Sequence, residues 1–406
     1  MDEQSVAERI VRLAGERGER ALELLEGSRD ARDDPWVALS LGDPSRVADA
    51  AAPGGPLERP PLFYVARSRI AEDTVPAARD LLARGADPNG PGVEGEWTNL
   101  SVACARGDVA LARVLLDAGA DPNDEDALYH STEVADAACT ELLLERGARV
   151  NGTNALGHAL DYERLERVRL LLEHGADPNE DPEWTALYHA VFRGRSAAFL
   201  ELLVAYGADV DARSRAGRTA YQEAYRRGRE DLCELLRALG SPTDVDDADV
   251  ALHAIATGGD VRREALGDDA ADVLIELAMR DLDTLSRVVD TAGAMFEARW
   301  GGGPRGTLLH QAAWLGRPRF VELLLARGAE VDARVETQFA TPLGWAAVGS
   351  RYTPDHPDDT FSSPDADYVA VAQLLVAAGA RVEPSFVEMA ASPLADWLAE
   401  QAPRRG

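Results

Sequence analysis

The stretch TNLSVACARGDVALARVLLDAGADPN, residues Thr98–Asn123, reads as two short helices joined by a turn. The first apolar run ends at Arg106-Gly107-Asp108, and the second ends at Gly119. Apolar residues three and four apart predict the buried stripe of a helix, and a glycine after the last turn is a common helix stop. Neither helix is long enough to be stable alone, so we expect each to pack against further copies of the same unit.

The closing segment of this unit, Leu-Leu-x-x-Gly-Ala, recurs along the chain, with later copies at Leu324 and Leu374. In the first half the closing glycines, spaced by 34, 28, 28, 32 and 33 residues, are Gly85, Gly119, Gly147, Gly175, Gly207 and Gly240. The openings TNLSVAC, TALYHAV, TAYQEAY, TLLHQAA and TPLGWAA start at Thr98, Thr185, Thr219, Thr307 and Thr341. A shared opening and close at a nearly fixed period indicates an array of repeats.

This pattern resembles the ankyrin repeat, which has a period of about 33 residues and a T-P-L-H-x-A opening. The resemblance implies an all-α fold, an ankyrin-repeat solenoid of stacked helix-turn-helix units with finger loops. It also makes Thr307 and His310 a structural pair rather than a catalytic one. Two units open with Asp126 or Asn154, and we expect these side chains to accept hydrogen bonds from the first helical amides, as threonine does.

The remaining segments predict the domain organisation. Apolar residues at helical spacing predict an N-terminal helical cap over 1–30, followed by a first block of repeats over 31–240. The pattern weakens over 241–305, which we interpret as degenerate repeats within a continuous solenoid. The alternative is a joint between two blocks, because acidic segments with Pro and Gly are typical of domain boundaries. A second block over 306–384 contains a long insertion, and a C-terminal cap occupies 385–406.

The composition predicts a soluble and acidic folded protein. Its 71 acidic and 42 basic residues give a formal net charge of −29, which argues against a nucleic-acid-binding surface because phosphates would be repelled. The excess of acid favours a basic partner or simple solubility. No apolar run is long enough for a membrane span. Cys104, Cys139 and Cys233 lie in apolar helical runs, so we expect buried, reduced thiols and a cytoplasmic location.

The sequence offers no pattern for catalysis, a cofactor or a metal site. The seven histidines are scattered, and there is neither a phosphate-binding glycine loop nor a nucleophile elbow. The insertion, about 17 extra residues within Arg351–Asp367, lacks calcium-loop spacing, although it gathers Asp355, Asp358, Asp359, Asp365, Asp367 and His356. Long insertions in repeat arrays are surface loops that often touch ligands. We therefore expect no enzymatic activity, no cofactor and no metal.

The resemblance points instead to a protein partner. In ankyrin proteins the variable contact positions lie just before the opening threonine and just after the paired alanines of the first helix. Aromatic residues and arginines, which are enriched at interface hot spots, stand at these positions here. For Trp97 and Trp184 the alternative is packing on a neighbouring finger loop. The predicted partner-binding residues are Trp97, Arg106, Tyr129, Tyr162, Trp184, Phe192, Arg193, Arg218, Arg226, Arg227 and Trp314.

The sequence thus predicts a non-enzymatic module that binds a partner protein or peptide in a concave groove between about Trp97 and Trp314. A specific version is an acidic inhibitor or immunity-type protein that occludes a basic enzyme. Frequent Ala, Arg, Gly and Asp are typical of a high-GC bacterial sequence, where such pairs occur. The alternative function is a small-molecule-binding or catalytic pocket in the irregular region 241–384, built from Trp300, His310, Trp314, Trp345 and the acidic insertion.

Overall fold

The computed structural model describes residues 3–16, 18–90, 97–124, 126–259, 266, 270–293, 297–299, 305–335, 340–352 and 366–401. The chain falls into two compact units, Met1–Glu180 and Asp181–Gly406. The regular structure of both units is almost entirely α-helical, and the helices follow one another as antiparallel pairs. The predicted all-α solenoid of helix pairs is therefore confirmed.

The first unit begins with two helices, where the sequence predicted a helical cap, and continues with repeat helices. Between residues 41 and 60 the chain runs through turns without a helix, so the helix Pro35–Ser40 has no second helix directly after it. A 3-10 turn occupies Arg29–Asp33. The α-helices are α1 Glu3–Glu16, α2 Gly18–Gly27, α3 Pro35–Ser40, α4 Pro61–Arg67, α5 Val75–Ala83, α6 Asn99–Ala105, α7 Val109–Asp117, α8 Ala127–His130, α9 Ala138–Glu145, α10 Ala155–Asp161 and α11 Leu165–Glu173.

The second unit contains the remaining repeat helices and one short hairpin. The hairpin pairs β1 Glu297–Arg299 with β2 Arg305–Thr307 in antiparallel register. The helices are α12 Ala186–Phe192, α13 Ala197–Ala205, α14 Ala220–Arg226, α15 Glu230–Ala238, α16 Asp247–Thr257, α17 Ala271–Ala278, α18 Leu282–Ala292, α19 Leu308–Trp314, α20 Pro318–Ala326, α21 Pro342–Tyr352, α22 Tyr368–Ala377, α23 Pro384–Met389 and α24 Leu394–Gln401.

The opening threonines act as predicted, as acceptors for the first turn of the following helix. Each Oγ1 accepts a hydrogen bond from the backbone amide three residues later. The donor–acceptor distances lie between 3.1 and 3.4 Å for Thr98, Thr185, Thr219, Thr307 and Thr341. An N-terminal bond of this kind stabilises a helix by about 1 kcal/mol, so these residues fix where each first helix begins.

The same prediction is wrong for the two units that open without threonine. Neither Asp126 nor Asn154 accepts a hydrogen bond from a helical amide. Asn154 takes a left-handed backbone conformation, with φ of 56°, and Thr153 Oγ1 accepts from the Ala155 amide in its place. The Asp124 carboxylate, two residues before Asp126, accepts from the Asp126 amide at 3.3 Å. A residue type that is common at helix starts does not accept this hydrogen bond when its backbone angles turn the side chain away from the first-turn amides.

The described helices of the weak-pattern segment 241–305, which are α16, α17 and α18, pack among the other helices of the second unit. Helix α16 contacts α14 as well as α17 and α18, and α18 contacts α20. One connected set of buried apolar side chains extends from Leu252 in α16 to Leu398 in α24. The proposed domain boundaries at 240 and 305 stay predictions.

His310 is buried at the start of α19, as expected for a packing residue. Its Nδ1 lies 2.8 Å from Thr307 Oγ1, and its Nε2 lies 3.2 Å from the carbonyl oxygen of Ala340. Burial lowers the pKa of His310 from 6.5 to about 4, although the carbonyls of Ala340 and Ala333 favour the protonated ring. The three cysteines are also buried and unbridged, as predicted.

Acid should destabilise the second unit through His310. The unfolded chain binds this proton more tightly than the folded one, so the contribution of His310 is complete above pH 6.5 and is lost as the pH falls toward 4. The free energy of unfolding should fall by about 2 kcal/mol between pH 7 and pH 5 on account of this residue. Urea unfolding of wild type and His310→Gln at both pH values measures it. Equal pH dependence in the two proteins would contradict the assignment.

Replacing a closing glycine should strain the backbone without a steric clash. Gly119 has a φ of +97°, and a Cβ built there meets no atom within 4 Å. Gly119→Ala should therefore lower the free energy of unfolding by about 1 kcal/mol, the cost of the left-handed conformation alone. The control is Gly27→Ala in the same unit, which has equal space but no positive φ. Equal urea midpoints for both variants would argue against this role of the closing glycine.

Candidate functional site

Two tryptophans stand out on the surface of the repeats. Among the described residues, the exposed large hydrophobic side chains are Leu22, Trp97, Trp184, Tyr206 and Val250. Trp97 is 42% exposed and Trp184 is 37% exposed, and each directly precedes an opening threonine. This is the position at which the sequence predicted partner contacts. The two tryptophans belong to different units, so their surroundings are described separately.

In the first unit, aromatic rings form a connected row, which we call the His130 stack (Trp97, His130, Tyr129, His158 and Tyr162). The ring centres of Trp97 and His130 are 3.9 Å apart. Tyr129 meets His130 edge-on at 5.0 Å and lies parallel to His158 at 3.6 Å, and Tyr162 meets His158 edge-on at 4.9 Å. The structure therefore brings three predicted site residues, Trp97, Tyr129 and Tyr162, into one row.

Hydrogen bonds hold the two histidines of this row in place. His158 Nδ1 donates to the carbonyl oxygen of Tyr129 at 3.1 Å and lies 3.0 Å from Thr132 Oγ1. Burial lowers the pKa of His158 below its usual range. His130 Nδ1 bonds the carboxylate of Glu133. Because both imidazoles are fixed, the rings that rest on them are pre-oriented, which reduces the entropy that binding a partner would cost.

In the second unit, a similar group surrounds Trp184, and we call it the Trp184 face (Trp184, Tyr188, His189, Phe192 and Arg193). The Trp184 ring meets Tyr188 edge-on at 5.0 Å and Phe192 at 5.1 Å. Arg193 Nε donates to His189 Nε2 at 3.4 Å. Trp184 and Phe192, both predicted site residues, are thus neighbours, and Arg193 lies at the end of the same helix.

The sequence analysis did not identify a recurring buried polar position within the repeats. Four residues after each opening, the side chain is buried against the neighbouring repeat, and in five units it is polar: His130, His158, His189, Glu223 and Gln311. The available signal was their common offset from the opening residue. A buried polar group is costly unless it has partners. The three histidines and Glu223 have such partners, whereas the side-chain amide of Gln311 has no hydrogen-bond partner among the described residues.

Glu223 is the clearest example of such pairing, because its carboxylate bonds the buried guanidinium of Arg227. Arg227 is 2% exposed and bonds Glu223 at 2.5 Å and Glu276 at 2.7 Å. Burial alone would lower the pKa of Arg227, but the carboxylates of Glu223 and Glu276 outweigh it and raise that pKa. The guanidinium carbon also lies 5.1 Å from the Phe192 ring centre. The buried Arg227 therefore packs against Phe192 of the Trp184 face.

Arg218 and Arg226 are likewise internal. Both face the fully buried Asp249 of α16, with nitrogen–oxygen distances of 2.5 Å from Arg218 and 3.4 Å from Arg226. Burial raises the pKa of Asp249, and the two guanidinium groups act in the opposite direction. The expectation that Arg218, Arg226 and Arg227 present their charges to a partner is thus corrected, because ion pairs inside the second unit occupy these charges.

Arg106 belongs to a second structural set, arginines that bond backbone carbonyls of a neighbouring repeat. Its guanidinium donates to Ala66 O at 3.1 Å and Ser68 O at 2.8 Å, at the end of α4. Bonds of the same kind join Arg167 to Ser131 and Val134, Arg229 to Gly194, Arg280 to Arg227, and Arg317 to Met279. Carbonyls at helix ends lack intrahelical donors, so these arginines satisfy them.

Trp314, the last predicted site residue, is half-buried. Its ring lies 6.0 Å from Trp345, edge-on, and its carbonyl oxygen accepts a hydrogen bond from the Tyr368 hydroxyl at 2.9 Å. Trp345 and His310, named for the alternative pocket, are buried side chains. Trp300 and the acidic insertion residues Asp355, His356, Asp358, Asp359 and Asp365 lie outside the described residues. The groove predicted between Trp97 and Trp314 stays a prediction.

Metal-binding clusters and membrane-spanning helices are absent from the residues that the structure describes. No group of three or more His, Cys, Asp or Glu side chains is arranged to hold a metal ion. No described helix is long and apolar enough to cross a membrane.

Comparisons with known proteins also identify repeats in this chain. Residues 100–182 match the family model described as ankyrin repeats (3 copies), and residues 183–215 and 306–335 match the ankyrin repeat. An ankyrin repeat-containing protein of Treponema pallidum (strain Nichols) is 37% identical over 107 residues, covering 25% of this chain and 35% of the relative. The chain thus spans about a third of that relative's length. Ankyrin repeats are in general protein–protein interaction modules, and this chain carries them over residues 100–215 and 306–335.

Proposed function

We propose that the protein is a non-enzymatic interaction protein that binds a partner protein or peptide through the Trp184 face. The observation that carries the proposal is the exposed Trp184 ring, held edge-on by Tyr188 and Phe192 at the opening of a repeat. Rigid aromatic anchors beside an arginine are typical of interface hot spots. The His130 stack offers a comparable surface in the first unit.

The energetics favour Trp184 as an anchor. Covering its exposed fraction contributes about 2 kcal/mol at about 25 cal/mol per Å² of apolar surface. Little of this gain is offset by ordering, because neighbouring rings and the buried Arg227 already fix the site. Arg193 adds a donor at the same edge, where it can bond a partner's carbonyl or carboxylate.

The charge of the chain favours a basic partner. Exposed Asp181 lies three residues before Trp184, and exposed Glu183 directly before it is paired with Arg215 Nε at 2.9 Å. The whole sequence carries a formal charge of −29. Carboxylates around an aromatic ring attract Arg and Lys side chains, which also pack on the face of an indole. We therefore propose a basic protein as the partner, with occlusion of a basic enzyme as the specific version. A cytoplasmic and bacterial setting belongs to this proposal.

Removing the anchor should abolish partner capture without unfolding the protein. The double variant Trp184→Ala/Arg193→Ala should weaken binding about 30-fold or more, the equivalent of about 2 kcal/mol. Capture from a lysate of the native organism, followed by mass spectrometry and an affinity measurement with the purified partner, tests it. Raising the salt concentration should weaken the same complex, because exposed charges are screened.

The matched control is Tyr206→Ala. Tyr206 is 40% exposed and belongs to the same repeat, but it lies at the end of the second helix, α13. This variant should retain the partner with unchanged affinity, and both variants should keep the wild-type melting temperature. Retention of the partner by the Trp184→Ala/Arg193→Ala protein would refute the proposed face.

A further inference from the structure

Arg227 is held by two carboxylates that come from different helices. Its Nη1 lies 2.5 Å from Glu223 Oε1 in α14, and its Nε lies 2.7 Å from Glu276 Oε2 in α17. Helix α17 belongs to the segment 241–305, in which the repeat pattern is weak. Glu276 therefore ties a helix of that segment to the guanidinium that packs on Phe192.

The end of α17 holds the backbone of Arg227 as well as its side chain. Arg280, two residues after the last residue of α17, donates from Nη1 to the Arg227 carbonyl oxygen at 2.7 Å. Its Nη2 donates to Glu276 Oε1 at 3.3 Å. Arg227, Glu276 and Arg280 thus form a closed ring of hydrogen bonds, in which each residue bonds the other two. A connected network of this kind restricts the positions that the Arg227 guanidinium can take.

Both rings that meet Trp184 edge-on lie next to this charged group. The Phe192 ring centre is 5.1 Å from that of Trp184 and also 5.1 Å from the Arg227 guanidinium carbon, a distance at which a cation and a ring attract each other. The Tyr188 ring is 5.0 Å from Trp184. Burial raises the pKa of Tyr188, and the charge of Glu223 and its hydrogen bond to the Tyr188 hydroxyl raise that pKa further. The orientation of the Trp184 ring thus depends on where the Glu223–Arg227 pair is held.

Glu276 is the more exposed of the two carboxylates that bond Arg227. Its side chain is 16% exposed, whereas that of Glu223 is 3% exposed. Neutralising a fully buried carboxylate leaves its partner charge without compensation, which destabilises a fold strongly. Neutralising Glu276 leaves Arg227 bonded to Glu223, so the buried guanidinium keeps one counter-ion but is held less firmly. The effect of Glu276 on the Trp184 face can therefore be measured in a folded protein.

We propose that Glu276 is a positioning residue for the Trp184 face. It fixes the guanidinium of Arg227, and through Arg227 it fixes the Phe192 ring against which Trp184 packs. Helix α17 thus contributes to partner affinity through contacts inside the protein, because an anchor held in one orientation loses less entropy on binding. This inference rests on the proposed function, since it assigns a further residue to the same face.

The indole N–H signals of the full chain test the link without any partner. The chain has seven tryptophans, and in ¹⁵N-tryptophan-labelled protein the Trp184 and Trp97 signals are those missing from Trp184→Phe and Trp97→Phe. Glu276→Gln should shift the Trp184 signal and leave the Trp97 signal of the other unit in place. Arg280→Gln, which alters a more exposed residue, should shift the Trp184 signal in the same direction, and it decides the test if Glu276→Gln does not fold.

The matched control is Glu383→Gln. Glu383 belongs to the same unit and bonds Arg334 at 2.7 Å, the distance between Glu276 and Arg227, so this variant also removes the charge of one paired carboxylate. It should leave the Trp184 signal in place. A double-mutant cycle then tests the route: with Phe192→Leu present, Glu276→Gln should shift the Trp184 signal no more than about half as far. A general loss of stability would not depend on Phe192 in this way.

Affinity for the protein captured by the wild-type chain completes the test. Glu276→Gln should weaken that complex about fivefold, the cost of ordering one loosened side chain, and Glu383→Gln should bind like wild type. The inference is overturned if Glu276→Gln leaves the Trp184 signal in place, if Glu383→Gln shifts it equally, or if Glu276→Gln binds with unchanged affinity. Retention of the partner by Trp184→Ala/Arg193→Ala refutes the proposed face instead, and the Trp184 signal then reports on the contact route alone.

Discussion

The packing of the repeats depends on hydrogen bonds to the backbone carbonyls at the ends of the first helices. These carbonyls need outside donors because they have none within their own helix. Arginines from a neighbouring helix supply those donors, as Arg106 does for Ala66 and Ser68 and Arg280 does for Arg227. A planar guanidinium can bond two or three carbonyls at once, whereas an ammonium group acts as a compact point charge. The sequence contains 42 basic residues, and all of them are arginines. Their structural use explains part of this bias.

The same requirement separates structural residues from candidate binding residues. In five units the side chain four residues after the opening is polar and buried, and in the second unit Glu223 pairs there with the buried Arg227, which also bonds Glu276. Charges committed in this way are unavailable to a partner protein. Among the predicted site residues, the exposed large hydrophobic side chains are Trp97 in the His130 stack and Trp184 in the Trp184 face. The exposed rings therefore carry the proposed function, while most of the predicted arginines hold the repeats together.

Local patterns made the fold predictable, whereas contacts between repeats limited the prediction of the site. The threonine openings and closing glycines determine helix ends within a few residues, so the sequence revealed them. Arg218 and Arg227 pair with Asp249 and Glu276, which lie 31 and 49 residues away, and no local pattern reveals such partners. Trp184 was predictable because its exposure follows from its place before an opening. Asn154 failed as an opening acceptor because its left-handed backbone cannot be inferred from residue type.

Exchanging one of the arginines that bond backbone carbonyls of a neighbouring repeat for lysine tests most directly whether the repeats depend on these bonds. Arg167 is buried in α11 and donates to Ser131, Val134 and Ala135 carbonyls, while Arg169 in the same helix is half-exposed and faces Glu166. Arg167→Lys keeps the charge but loses the fork, so urea unfolding should show a loss of about 2 to 3 kcal/mol. Arg169→Lys should leave the midpoint unchanged. Equal midpoints for the two variants would contradict the account, because the charge alone would then suffice.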